Sequence, residues 1–218
     1  MTRIQPLPAA FATTVAALHS VAEQILAPAR RPENEIALEP TPGGFGTPPF
    51  AHDGITRQVR VDGVELVHTA GADERRVALT SLEDARRLVA PLVPGGPLSG
   101  ATLDIDPAAA ARLADWYAFG ASMLDAIADA TATPARLWPE HFDLAIEMGE
   151  ATYGFSPGDD VHPEPYAYVG PWEAAVSGDL WQATGFRGAE LAYADLLAAD
   201  DPRTATLEFF AARKEALA

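Results

Sequence analysis

Cysteine is missing altogether from this 218-residue chain, so a disulfide framework, a thiolate metal site and a thiol nucleophile are all excluded. Lysine is nearly missing: Lys214 stands alone beside fourteen arginines, a skew that reads as the codon usage of a GC-rich genome. No run reaches the 18 apolar residues that a membrane helix needs, and no basic segment precedes an apolar run and cleavage site at the N-terminus. A cytoplasmic protein without membrane contact is the expectation. Positive charge is scarce as well. Fifteen basic against 31 acidic residues give a formal net charge of -16, which argues against nucleic acid and anionic membrane as partners. There is no Gly-x-Ser-x-Gly elbow and no dinucleotide fingerprint, and the Gly- and Pro-rich loop Thr41 to Phe50 lacks the spacing and the lysine of a phosphate cradle.

What is present is a globular composition, 48% hydrophobic, arranged in alternating helical and strand patterns. Phe11, Val15, Leu18, Val21 and Ile25 recur at helical spacing within Ala9 to Leu26, and Pro28 and Pro32 are expected to end that helix. His19 reads as a satisfied residue at the edge of its stripe. Ile36 and Leu38 begin a strand. Val59 and Val61, then Asp62-Gly63, then Val64 and Leu66 give the clearest hairpin signal, and Val77 and Leu79 add a strand. Thr80 or Ser81 caps a helix that buries Leu82, Ala85, Leu88 and Val89. Asp106-Pro107 opens a long helix in which Gly120 allows close approach of a neighbour. Ala189 to Ala199 and Pro202 to Leu217 read as two further helices, with Leu207 and Phe210 docking the last. The fold class is α+β: a mostly antiparallel sheet flanked by helices in one compact domain, with 1–93 and 101–218 as candidate halves around a Pro- and Gly-rich stretch. Ile36-Ala37-Leu38-Glu39 with Gly44-Phe45 echoes Leu144-Ala145-Ile146-Glu147 with Gly154-Phe155, which would make the halves pseudo-repeated α-β-β-β-α units.

Chemistry concentrates between Pro134 and Trp172. Phe142, Leu144, Ile146 and Met148 alternate with His141, Asp143 and Glu147, so the polar set is expected to share one strand face. Tyr153 to Ser156 returns. A proline-stiffened loop from Pro157 to Pro165 then carries Asp159, Asp160, His162 and Glu164, and Tyr166 to Val169 resumes the alternation. Between Arg136 and Arg187 there is no lysine or arginine but there are nine acidic residues, a surface that attracts cations.

Two kinds of site fit these residues. His141, Asp143, Asp160, His162 and Glu164 offer nitrogen and oxygen ligands to a divalent metal ion such as zinc, manganese or ferrous iron, without matching a metal motif. Trp138, Tyr153, Phe155, Tyr166, Tyr168 and Trp172 offer stacking surfaces to a small polar or cationic ligand oriented by the carboxylates. For each, the plainer reading is that the histidines and loop carboxylates satisfy backbone groups and the aromatics fill the core. A metal-dependent hydrolase-like enzyme and an acidic protein-interaction scaffold, including a homodimer, are the alternatives, with binding favoured over catalysis.

The set Trp138-Pro139-Glu140-His141-Phe142-Asp143, Ser156-Pro157-Gly158-Asp159, His162-Pro163-Glu164-Pro165-Tyr166 and Val169-Gly170-Pro171-Trp172 resembles a family of actinobacterial proteins of similar length and unknown function. The resemblance extends to the Gly-Phe-Gly-Thr-Pro loop. It implies an intact bacterial cytoplasmic domain and carries over no activity.

Overall fold

A computed structural model of the chain describes residues 4–30, 35–90, 92–99, 102–159, 161–173 and 176–217. Two antiparallel sheets with flanking helices make the fold α+β. The chain divides into two compact units, one of Leu7–Asp115 with Leu137–Phe142 and the other of Met1–Pro6, Trp116–Arg136 and Asp143–Ala218. They are called the first and second unit below. Residues 92–99 of the Pro- and Gly-rich stretch lie inside the first unit. No helix among the described residues is long and apolar enough to cross a membrane.

The first unit opens with α1 (Phe11–Val21), which buries Phe11, Val15, Leu18 and Val21 as its spacing predicts. Pro28 does not end the helical run. Residues Ala22–Leu26 form a π turn, and α2 (Ala27–Arg30) follows. Pro28 lies just after the π turn, inside a continuous helical run, and Pro32 lies outside the described residues. Leu38 makes an isolated antiparallel bridge with Leu137.

The expected loop at 41–50 contains a strand. β1 (Glu39–Thr41) pairs with β2 (Gly44–Gly46), and Phe45 is fully buried. Glycine is required on both sides of it: a Cβ on Gly44 would meet the Val61 carbonyl oxygen at 2.6 Å, and one on Gly46 would meet Arg60 Cβ at 2.5 Å. Next come β3 (Phe50–His52), β4 (Ile55–Asp62), β5 (Glu65–Ala70) and β6 (Asp73–Ala78). The sheet order is β1-β2-β4-β5-β6, with β3 also on β4. The predicted hairpin is β4–β5, shifted by one residue. Asp62 pairs with Glu65, so the turn is Gly63-Val64, with Gly63 at φ 62° supplying the left-handed first position. Ser81 caps α3 (Leu82–Val89) by accepting from Asp84 N–H at 3.1 Å, and the four predicted apolar residues are buried.

α4 (Pro107–Ile127) begins in the first unit, where Asp106 Oδ1 accepts from Ala109 N–H at 2.9 Å. It continues in the second unit, where Gly120 makes room for Phe155: a Cβ there would lie 2.8 Å from the Phe155 ring. Phe155 sits among Trp116, Phe119 and Phe210, with centroids 5.2, 5.9 and 5.7 Å away, and complete burial of such a ring stabilises by roughly 1.5–3 kcal/mol. After β7 (Arg136–Trp138) come β8 (Asp143–Met148), β9 (Ala151–Ser156) and β10 (Tyr166–Pro171). Gly149 and Glu150, at φ 55° and 64°, form the two-residue β8–β9 turn.

Residues 189–192 are strand, not the start of a helix. They form β11 (Ala189–Ala192), paired along β10, and give the order β11-β10-β9-β8. Pairing to a neighbouring strand outweighs the helical preference of their alanines. The helix is confined to α5 (Tyr193–Ala198). α6 (Pro202–Ala216) is capped by Asp201, and it docks through Phe209 as well as the expected Phe210, while Leu207 is only half-buried. The two units share a hairpin with a buried phenylalanine, Phe45 in one and Phe155 in the other, and their sheets otherwise differ in strand order.

Candidate functional site

The strand register of the second unit assembles one polar face. Tyr168 lies opposite Gly154 on one side and Glu190 on the other, and Gly154 lies opposite Ala145. In the adjoining row Tyr166 faces Ser156 and Ala192. Because strand side chains alternate, Tyr153, Phe155, Leu144 and Ile146 leave by the other face, into the core. Tyr153 packs on Phe210 at 5.8 Å and is 1% exposed. Phe155 is core, remote from any ligand surface on the polar face.

At the centre, the Tyr168 hydroxyl donates to Asp143 Oδ2. The phenol reaches β8 by lying over Gly154, where a Cβ would come within 2.5 Å of its ring. Asp143 is 8% exposed, and Tyr117, fully buried on α4, lies within range of its charge. Burial, followed by that carboxylate's charge, raises the pKa of both Tyr117 and Tyr168 well above the usual phenol value, so both stay protonated donors. The peptide carbonyl of Ser156 accepts from Trp116 Nε1 at 2.8 Å, which fixes the β9 end of the face.

The loop that follows β9 is built around Asp159. Its Oδ1 accepts from the N–H groups of Val161 and His162 at 2.7 and 2.8 Å, and its Oδ2 from the Tyr166 hydroxyl at 2.9 Å. Burial pushes the Asp159 carboxyl up, but those three donors outweigh it and the net shift is downward. Burial and the bond to Asp159 push Tyr166 up to about 12, against a lowering by Ser156. His162 stands between two carboxylates, Nδ1 3.6 Å from Asp159 Oδ1 and Nε2 3.1 Å from Glu190 Oε2. Nε2 is shut off from solvent and is not aligned for a hydrogen bond to Glu190. Its ring lies 4.9 Å from Tyr166, and Phe186 closes over Tyr166 and Tyr168 with centroids 6.3 and 5.9 Å away.

The structure thus brings together Asp143, His162, Tyr166 and Tyr168 from the predicted set, adds Asp159, and leaves others out. His141 is not on the strand with Asp143. The strand begins at Asp143, because Phe142 takes a left-handed φ of 54° at the end of a turn closed by its N–H on the Trp138 carbonyl at 2.7 Å. His141 is exposed and belongs to the first unit with Trp138. There Phe142 stacks on His19 at 4.9 Å, and His19 Nε2 donates to the Pro139 carbonyl at 2.8 Å, which is the satisfied role expected for His19. Glu164 is exposed on the loop. Asp160 lies outside the described residues. Trp172 is 58% exposed, with its indole N–H on Thr152 Oγ1 at 3.2 Å. Among the described residues no three His, Asp or Glu side chains gather closely enough to hold a metal ion.

Sequence reasoning missed Glu190, Phe186 and Tyr117. Glu190 was legible only if 189–192 was read as strand, and Tyr117 only if its helix was known to run within range of the Asp143 charge. No family model matches the chain, and neither the curated proteins nor the solved structures yield a match.

Proposed function

We propose that the second unit binds a small polar ligand bearing an amine or hydroxyl groups on the face formed by Asp143, Asp159, His162, Tyr166, Tyr168 and Glu190. The observation that carries this reading is the convergence of acceptors beside aromatic rings: His162 stands 3.6 Å from Asp159 Oδ1 and 3.1 Å from Glu190 Oε2, and the Tyr166 hydroxyl donates to Asp159 Oδ2 at 2.9 Å. Such a face favours a ligand that brings donors or positive charge, while the Tyr166, Tyr168 and Phe186 rings offer apolar surface against which it can lie.

A divalent ion is the weaker form of the same reading, since among the described residues no three-ligand group supports it. A protein partner is favoured by a different observation, the exposed Trp172 indole at the end of β10, and aromatic anchors of this kind are common at interfaces.

The test is a melting-temperature screen against monosaccharides, polyols and primary amines. A ligand present at a hundred times its Kd adds about 2.7 kcal/mol to stability and is readily detected. Failure of all three classes would leave the partner surface as the account to pursue.

A further inference from the structure

Tyr153 leaves β9 by the face opposite to Tyr168, and there it meets a second feature of the same unit. Asp129, Met148, Gly149, Tyr153, Lys214 and Leu217 line a half-open depression of about 140 Å³. Most of its wall is apolar: the Met148 thioether, the Tyr153 ring and Leu217. Two polar groups give it direction. The Lys214 ammonium donates to Asp129 Oδ2 at 2.7 Å and lies 3.7 Å from Met148 Sδ. An ammonium has three donors, so one N–H remains for a ligand. The Tyr153 hydroxyl has no hydrogen-bond partner among the described residues, although the side chain is 1% exposed and lines the depression.

We propose that this depression is a binding site for a small neutral molecule of about one ring in size that presents an oxygen acceptor to Tyr153 and Lys214. The size follows from the volume, which is close to that of an engineered cavity that holds benzene. Neutrality follows from Asp129: it already balances Lys214, and a carboxylate ligand would set a second anion beside it. The acceptor follows from the two donors. Burial, with the Asp129 charge, raises the Tyr153 pKa and keeps the phenol a donor at neutral pH. Met148 suits such a wall because its unbranched thioether adapts to the shape of its neighbour. The site is independent of Asp143 and Tyr168, which lie on the other face of the sheet.

Methionine-methyl NMR reads this site directly, since the chain has three methionines and Met148 is in the wall whereas Met123 is buried on α4. The probes are cyclohexanone and methylenecyclohexane, equal in shape and differing in the acceptor. The expected result is a saturable shift of the Met148 methyl with cyclohexanone and none at Met123. Affinity should be about two- to tenfold lower for the hydrocarbon, and lower by a similar factor in Tyr153→Phe, as the loss of one hydrogen bond predicts. Lys214→Met should weaken the ketone and leave the hydrocarbon unchanged, and this variant decides the matter if Tyr153→Phe fails to fold. No saturable shift at Met148, equal binding of the two probes, or full affinity in both variants would overturn the proposal.

Discussion

The Tyr168 phenol lies across Gly154 to donate its proton to Asp143 two strands away. The two residues share no sequence proximity. What joins them is a register that sets Tyr168 opposite Gly154 and a glycine that leaves the path over β9 open.

Gly154→Ala is therefore expected to separate the pair. Its Cβ would stand 2.5 Å from the Tyr168 ring, and overpacking of this kind costs about 1–3 kcal/mol. Gly170→Ala is the control, with no heavy atom within 4 Å of the added Cβ. Urea unfolding of both variants should show a large loss in the first and a change within about 0.5 kcal/mol in the second.

Tyr117 and Tyr168 should not ionise in the folded protein at the ordinary phenol value of 10.0. The fold holds their protons above that value while the unfolded chain releases them, so their stabilising contribution is complete below pH 10 and is lost as the pH rises further. Phenolate absorbance should count fewer ionised tyrosines in the native protein than in urea at the same alkaline pH. Tyr168→Phe should shrink that difference by one residue.

His68 gives the opposite slope. It is 7% exposed on β5, and burial, then the charge of Arg57, lowers its pKa, with Arg75 adding to this and a bond to the Leu88 carbonyl opposing it. A histidine held neutral contributes stability that is full above its unfolded value of 6.5 and is lost as the pH falls through its folded value. Between about pH 7 and pH 5 the wild type should lose more stability than His68→Gln, measured by denaturant unfolding at each pH. Parallel curves would show that His68 does not couple to folding.

Ser81→Ala removes the side-chain acceptor of α3 and should cost about 0.5–2 kcal/mol, read from the urea midpoint.

Much of this fold is written in local signals. The Ser81 cap, the Asp106-Pro107 start, the turn glycine of β4–β5 and the close approach at Gly120 each follow from chemistry within a few residues. The failures come from pairing and from single backbone angles. Phe142 in the left-handed region cuts the apparent alternation of residues 141–148 after His141, so two residues that share a face on paper belong to different units. Glu190 sits among alanines that favour helix, and only the β10 partner makes them strand. That Asp143, Asp159 and His162 would lie near one another was legible from the charge asymmetry of their stretch. The full membership of the site was not, since a sheet face is assembled from strands whose order no local signal reports.

The central claim is that the Asp143–Tyr168 face receives a small polar ligand, and the most direct measurement is the melting-temperature panel run on the wild type beside Asp159→Asn and Tyr166→Phe. The account predicts that one class among amines, polyols and monosaccharides raises the wild-type midpoint saturably and that the rise is lost or sharply reduced in both variants. A panel that leaves the wild type unmoved, or a rise that survives undiminished in both variants, would contradict it.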